Sequence, residues 1–98
     1  MIERIQNLLG IARRAGKVTS GEAQVEAMLK KGKGFLLLLA EDSGTVQKKF
    51  SFWADSLAIP VIVNGTKQEL GLAIGMSPRS VILIMDEGFA KAMLKARS

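Results

Sequence analysis

The feature that most constrains the fold is the uninterrupted apolar run from Phe35 to Ala40. Its length is that of a β-strand, and an apolar run without polar alternation is typical of a strand that is buried on both faces. Two further apolar segments follow at Ile59–Val63 and Val81–Met85, and Val18–Thr19 can form a very short strand. The chain is therefore expected to contain a small sheet that is covered by other elements on both sides.

The segments between these strands carry apolar residues at helical spacing. The predicted helices cover residues 2–15, 20–31, 43–57, 66–75 and 86–96. Strands that alternate with helices are typical of α/β proteins. We therefore predict a three-layer α/β/α sandwich around a small mixed, partly parallel sheet, with residues 1–98 forming a single domain.

Helix starts are marked by side chains that can accept hydrogen bonds from backbone N–H groups. The expected N-caps are Thr19 or Ser20, Asp42 or Ser43, Thr66, and Asp86. The pair Asn64–Gly65 is a strong hairpin signal, but it is followed directly by Thr66 and Glu69 at the spacing of a capping box. A helix is therefore predicted at this point in place of a hairpin.

The residue types that are missing exclude several classes of chemistry. The 98 residues contain no cysteine and no histidine, which excludes disulfides, thiol nucleophiles, Ser-His triads and ordinary zinc sites. Glu41 and Asp42 follow a predicted strand, where α/β proteins place their sites, but no nucleophile or base accompanies them. They are interpreted as a solvated carboxylate and a helix cap. The chain is therefore not expected to be an enzyme, and no cofactor or metal ion is expected.

Basic residues outnumber acidic ones, with 14 Lys and Arg against 9 Asp and Glu, a net charge of +5 and a pI near 9.9. This balance favours a polyanionic partner such as nucleic acid, although many soluble domains carry a similar charge. Trp53 and the four phenylalanines fall mostly at predicted core positions. No aromatic platform for stacking bases is therefore expected.

The start of the chain carries Glu3 and Arg4 and lacks the long apolar core of a signal peptide. The run at residues 35–40 is too short to span a bilayer. A cytoplasmic location without membrane contact is the expectation.

Three segments are candidates for binding an anion. Residues 13–21 place three cations, two glycines and two hydroxyls before a helix start, where free N–H groups attract phosphate; the alternative is a helix C-cap and a solvated turn. Lys30, Lys31 and Lys33 form a second cluster, for which the alternative is a soluble helix end. The loop 75–79 offers a methionine, a hydroxyl and an arginine, or is an ordinary connection.

Four segments, taken in this order, resemble the kink-turn-binding family typified by the archaeal ribosomal protein L7Ae. They are Lys17–Gly21, Lys33–Asp42, Leu70–Gly75 and Asp86–Ala90. The sequence Leu-Leu-Gly-Ile-Ala-Arg-Arg-Ala-Gly-Lys at residues 8–17 resembles the bacterial YlxQ-like branch of this family. The resemblance covers residues from about 3 to 95, nearly the whole chain.

The resemblance implies a three-layer α/β/α domain that binds bent, structured RNA, with ribosomal RNA rather than DNA as the partner. In the family, the start of the second helix enters the groove at the kink through a Gly-x-Asn-Glu-x-x-Lys motif. Here Gly21 is kept, whereas Ala23, Gln24 and Ala27 stand where Asn, Glu and Lys are expected. Because Ala23 cannot hydrogen-bond to a base, kink-turn affinity is expected to be weakened or redirected.

The resemblance also implies a second RNA contact in the loop before the last strand, where small apolar residues pack on an extruded base. Met76 and Pro78 match in character, and Arg79 is placed to reach a phosphate. The full set of expected RNA-contacting residues is Arg13, Arg14, Lys17, Ser20, Gly21, Glu22, Gln24, Lys30, Lys31, Lys33, Gly75, Met76, Ser77, Pro78 and Arg79.

Two functions follow from these features. The first is non-catalytic binding of structured, kink-turn-like RNA, with ribosome association. The alternative is a protein–protein adaptor that kept the fold and lost the specific RNA contacts, as Ala23 and Ala27 would allow. The basic segment Arg13–Lys17 argues for RNA, and we expect it to form one basic patch with Lys30, Lys31 and Lys33 around the second helix.

Overall fold

The computed structural model describes residues 1–97, which form one four-stranded sheet and five helices. The strands are β1 Val18–Ser20, β2 Leu36–Leu39, β3 Val61–Val63 and β4 Val81–Ile84. The helices are α1 Glu3–Arg14, α2 Glu22–Lys30, α3 Gly44–Leu57, α4 Lys67–Ala73 and α5 Glu87–Arg97. The predicted order of strands and helices is confirmed.

The sheet has the strand order β1-β4-β2-β3, so β1 and β3 form its two edges. β2 and β3 are parallel, and β4 is antiparallel to both of its neighbours. The register places Ser20 opposite Ile82, and Leu39 opposite both Val81 and Val63. The last residues of β1, β2 and β3 therefore lie at the same end of the sheet.

The core has two halves, one on each face of the sheet. Every side chain of β2 is buried, and successive side chains point to opposite faces. Leu36 and Leu38 pack with apolar residues of α1, α4 and α5, whereas Leu37 and Leu39 pack with residues of α2 and α3. The predicted three-layer α/β/α sandwich around a mixed sheet is thus confirmed.

The two strongest cap predictions are confirmed. Thr66 Oγ1 accepts from the Glu69 N–H at 3.1 Å, and Glu69 Oε1 accepts from the Thr66 N–H at 2.9 Å. This capping box opens α4 in place of the hairpin. Asp86 Oδ2 accepts from the Phe89 N–H at 2.9 Å at the start of α5.

Of the other two cap predictions, the one for α2 is wrong, and the one for α3 is confirmed in position but not in its side-chain bond. Thr19 and Ser20 belong to β1, where they pair with β4, and the N-cap of α2 is Gly21. Ser43 occupies the N-cap position of α3 without a side-chain cap bond. Asp42 accepts instead from the Lys67 N–H at 2.9 Å, so its carboxylate joins this turn to the start of α4.

The expectation that the aromatic residues lie mostly in the core is wrong for two phenylalanines. Phe50 is fully buried, but the side chain of Phe35 is 43% exposed and that of Phe52 is 72% exposed. Phe35 precedes the first residue of β2. Phe52 lies two residues beyond Phe50, which turns it to the outer face of α3.

Candidate nucleic-acid interface

A groove of about 420 Å³ lies along the open side of β1, and we call it the β1-edge groove. It brings together parts of two predicted segments, the stretch 13–21 and the loop 75–79, at the start of α2. Its lining residues are Arg13, Gly16, Val18, Thr19, Ser20, Gln24, Met76 and Arg79. Two of these side chains are cationic and none is acidic, so the groove suits an anionic ligand.

The backbone of β1 contributes hydrogen-bonding groups to the β1-edge groove. The backbone carbonyl of Lys17 accepts from the Met85 N–H at 2.8 Å, and the Gly21 N–H donates to the backbone carbonyl of Val81 at 3.2 Å. These bonds place the odd-numbered residues in the ladder with β4. In an antiparallel pair the alternate residues direct their N–H and C=O groups the other way. Val18 and Ser20 therefore present their backbone groups to the open edge.

The start of α2 lies at the same groove. Gly21 has φ +93° and ψ 147°, a conformation that favours glycine, and no side chain caps the helix. The N–H groups of the first helical turn have no partners within the helix. A Cβ on Gly21 would lie 2.7 Å from Gln24 Oε1, so the Gln24 side chain folds back over the helix start. The groove therefore combines free backbone donors with a side-chain amide.

Arg79 joins the loop 75–79 to β1. Its Nε donates to Ser20 Oγ at 3.3 Å, and its Nη1 donates to Ser77 Oγ at 2.8 Å. Met76 Sδ lies 3.5 Å from both Ser20 Oγ and Arg79 Nη2. The guanidinium was expected to reach outward for a phosphate. In the structure it folds back onto its own loop and holds Met76 in place beside the groove.

Gly71 allows this loop to pack against α4, and sequence reasoning missed its role. A Cβ on Gly71 would overlap the carbonyl group of Ser77 and lie 2.9 Å from the carbonyl oxygen of Met76. The Met76 N–H donates to the backbone carbonyl of Gly71 at 2.8 Å, and the Arg79 N–H donates to the backbone carbonyl of Lys67 at 3.0 Å. A glycine inside a predicted helix was the available signal, because such a residue usually has a packing reason.

The predicted basic residues do not all line the β1-edge groove. Arg14 lines a different groove, between α1 and α4, together with Arg4, Asn7 and Leu72. Successive helical residues are about 100° apart around the axis, and this rotation separates Arg14 from Arg13. Arg13 and Arg14, which were expected to share a single patch, therefore lie on two different surfaces.

The lysine cluster and Glu22 also lie away from this groove. Lys30 is the last residue of α2, Lys31 is its C-cap, and Lys33 follows in the next turn. The rise of an α-helix separates them from Gly21 by roughly 13 Å or more. Glu22 lies on the side of α2 that faces α3, where Lys49 Nζ is 3.9 Å from its carboxylate.

A second carboxylate of α2 shares this lysine. Lys49 Nζ lies 3.3 Å from Glu26 Oε2. The hydrogen bond from Lys49 lowers the pKa of Glu26 below its ordinary value. The acidic side chains of α2 are thus directed toward α3, on the opposite side of the helix from Gln24.

Across residues 1–97, no group of three or more carboxylates is arranged to hold a metal ion. Over the same residues, no helix has the length and apolar character that crossing a membrane requires.

The sequence and the fold match those of a known protein family. Residues 3–94 match the family described as Ribosomal protein L7Ae/L30e/S12e/Gadd45, and the chain belongs to that family. Among curated relatives, it is 35% identical over 88 residues to the RNA-binding protein YlxQ of Bacillus subtilis, a match that covers 89% of this chain and 88% of the relative. The RNA-binding protein YlxQ of Enterococcus faecium is 33% identical over 90 residues, which cover 91% and 86% of the two chains. The resemblance to the YlxQ-like branch is therefore confirmed.

Solved structures support the same assignment of fold. A Bacillus halodurans protein, described as having unknown function, superposes with a TM-score of 0.88 at 36% identity and full coverage of both chains. The 15.5kD RNA binding protein of Giardia lamblia superposes with a TM-score of 0.80 at 18% identity, covering 95% of this chain and 81% of that one. This second likeness is one of fold.

Proposed function

We propose that the chain is a non-catalytic RNA-binding domain whose main contact surface is the β1-edge groove. The observation that carries the proposal is the meeting of the uncapped α2 start, Arg13 and the Arg79–Met76 loop in one groove without an acidic side chain. Backbone N–H groups and arginines are the usual donors to RNA phosphates. The relatives named RNA-binding protein YlxQ support the same function.

We further propose that the bound RNA is bent, as in a kink-turn, and that it belongs to the ribosome. Met76 is half-buried and is held by Ser20 and Arg79, which gives an extruded base a fixed apolar surface to pack on. Lys30, Lys31 and Lys33 lie at the far end of α2, where they would contact the phosphates of the second stem. The separation of these two clusters along one helix fits a bend better than a straight duplex.

The proposed readout depends on phosphates more than on bases. Ala23 and Ala27 are exposed on the outer face of α2, and neither side chain can hydrogen-bond to a base edge or pair with a phosphate. Of the three changed motif positions, 23, 24 and 27, position 24 alone keeps a side chain that can hydrogen-bond to a base edge. We therefore expect broad tolerance of RNA sequence and a steep dependence of affinity on salt.

Restoring the family motif tests how α2 docks. The triple substitution Ala23→Asn, Gln24→Glu and Ala27→Lys should strengthen binding to a standard kink-turn by roughly tenfold or more, since each good base contact contributes about 1–3 kcal/mol. Ala58→Lys controls for the added lysine, because it places the same side chain at an exposed position beyond α3. It raises the net charge by one, whereas the triple substitution leaves the net charge unchanged.

The measurement is a gel-shift titration of the parent, the triple variant and the control on one kink-turn RNA and on a straight duplex of equal length. A gain that is confined to the triple variant and to the kink-turn supports the proposed docking. Equal gains for the control or the duplex would show that only charge matters. If neither the parent nor the triple variant binds structured RNA at low salt, the protein-adaptor function is the better description.

A further inference from the structure

A second groove lies at the opposite edge of the sheet, and we call it the β3-edge groove. Its volume is about 850 Å³, and it lies between the start of β3 and α5. The lining residues are Pro60, Lys91, Ala92, Leu94, Lys95 and Arg97. Three of them, Pro60, Lys91 and Leu94, also line a neighbouring cavity of about 290 Å³ that reaches Phe35 and Leu57. The two cavities therefore form one continuous surface.

The chemistry of this surface differs from that of the β1-edge groove. Its floor is apolar, and it includes the 43% exposed Phe35. Its rim is cationic at Lys91, Lys95 and Arg97. Among residues 1–97, no hydroxyl or amide side chain lines either cavity, whereas Thr19, Ser20 and Gln24 all line the β1-edge groove. An apolar floor without such groups suits apolar side chains better than nucleobases.

The charges on the rim of the groove determine which charge a complementary partner carries. Among the residues that line the two cavities, Glu87 is the one acidic side chain, and it lies 3.5 Å from Lys91 one helical turn away. Both side chains of that pair are well exposed to solvent, so the ion pair is weak. A partner's carboxylate can therefore replace Glu87 beside Lys91. Lys95 and Arg97 add two further positive charges on the same rim. The surface is therefore complementary to a segment that is both acidic and apolar.

The position of Arg97 also decides how a partner can bind. Its Nη1 donates to the backbone carbonyl of Val61 at 3.0 Å, which occupies an outward-facing acceptor of the edge strand. Arg97 therefore blocks one of the outward backbone groups that an added strand would need, which favours a partner that places side chains in the groove.

We propose that the β3-edge groove binds an acidic, apolar segment of a partner protein. The strand order separates this groove from the β1-edge groove by three strand spacings, about 14 Å. The two sites share no lining residue. RNA and the partner segment can thus be bound at the same time, and the proposal does not depend on which RNA is bound.

Selection from a random-peptide phage library on the full-length chain tests the proposal. Selected peptides should combine Asp or Glu with Leu, Ile or Phe, and the best of them is then made synthetically with a fluorescent label. Its affinity is measured by fluorescence anisotropy against the parent and three variants. Lys95→Glu reverses a rim charge, Pro60→Ser removes exposed apolar floor, and Lys48→Glu reverses an exposed lysine on α3 as the matched control.

Lys95→Glu should weaken the peptide roughly tenfold, since a reversed charge opposes the peptide at the rim. Pro60→Ser should weaken it several-fold, and Lys48→Glu should leave it unchanged. Circular dichroism of each variant establishes that the fold is kept. Selection of basic peptides, failure to select any, or equal loss in the Lys48→Glu control would overturn the proposal. A loss of structured-RNA affinity in Lys95→Glu, without a change in peptide affinity, would instead make this rim an RNA contact.

Discussion

Replacing Gly71 with alanine tests whether the loop 75–79 is positioned by its close approach to α4. Alanine in the middle of a helix normally stabilises it by about 0.5–1 kcal/mol relative to glycine. Here the added Cβ would overlap the carbonyl group of Ser77 and lie 2.9 Å from that of Met76. Both neighbours are backbone atoms, which cannot rotate away as the end of a side chain can.

The magnitude follows from these two opposing effects. Forcing an extra carbon into a packed contact costs about 1–3 kcal/mol. After subtraction of the helix-propensity gain, Gly71→Ala should lower the free energy of unfolding by about 1 kcal/mol. Gly10→Ala is the matched control, because Gly10 lies in α1 and its Cβ would be an ordinary 3.5 Å from the carbonyl oxygen of Ala73. That variant should be stabilised by up to about 1 kcal/mol.

The assay is urea unfolding of the parent and both variants, analysed by linear extrapolation. Amide chemical shifts of residues 76–79 provide a second measurement, and they should move in Gly71→Ala and stay in place in Gly10→Ala. If Gly71→Ala proves as stable as Gly10→Ala and the loop shifts stay unchanged, the contact with Ser77 does not position the loop beside the groove.

Two further predictions follow from the groove and from the capping box. Arg13→Ala should reduce the slope of log affinity against log salt for structured RNA by roughly 0.7–0.9, the value for one phosphate contact. Arg14→Ala should leave the slope unchanged because Arg14 lines another groove, and equal effects would contradict this division. For stability, hydrogen bonds from the Thr66 backbone and the N-terminal amino group hold the pKa of Glu69 below its ordinary value of 4.5. Because the folded-state pKa is lowered, the stability that Glu69 contributes is present above the unfolded pKa and is lost as the pH falls through the folded one. The midpoint temperature of the parent should therefore fall toward that of Glu69→Gln as the pH is lowered below about 5, and a constant difference between the two would contradict the assignment.

The fold could be predicted because its strongest determinants are local. The run at residues 36–39 is apolar without alternation, and it forms a strand whose side chains are all buried. Thr66 and Glu69 carry both halves of a capping box within one turn, so the start of α4 could be read from four residues. Such signals do not depend on which elements meet in three dimensions.

The site could be predicted only in part, because its geometry depends on tertiary neighbours. Ser20 has the side chain of an N-cap, but pairing with β4 keeps it in the strand and leaves Gly21 at the helix start. Arg13 and Arg14 are adjacent in the sequence and yet line different grooves. The contact between Gly71 and Ser77 joins a helix to the loop that follows it, and no spacing rule anticipates so close an approach.

The bonds that Arg79 makes within its own loop have a thermodynamic consequence for ligand capture. An arginine that is mobile in solvent loses rotameric freedom when it binds an anion, and this loss costs about 0.5–1.5 kcal/mol per side chain. Arg79 is already held by Ser20 Oγ, Ser77 Oγ and the carbonyl of Pro78. Most of its side-chain entropy is therefore lost when the protein folds, and little remains to be lost on binding. In the proposed complex, the exposed lysines at the far end of α2 have no such bonds to hold them in advance, so each would lose its side-chain mobility on contact with a phosphate.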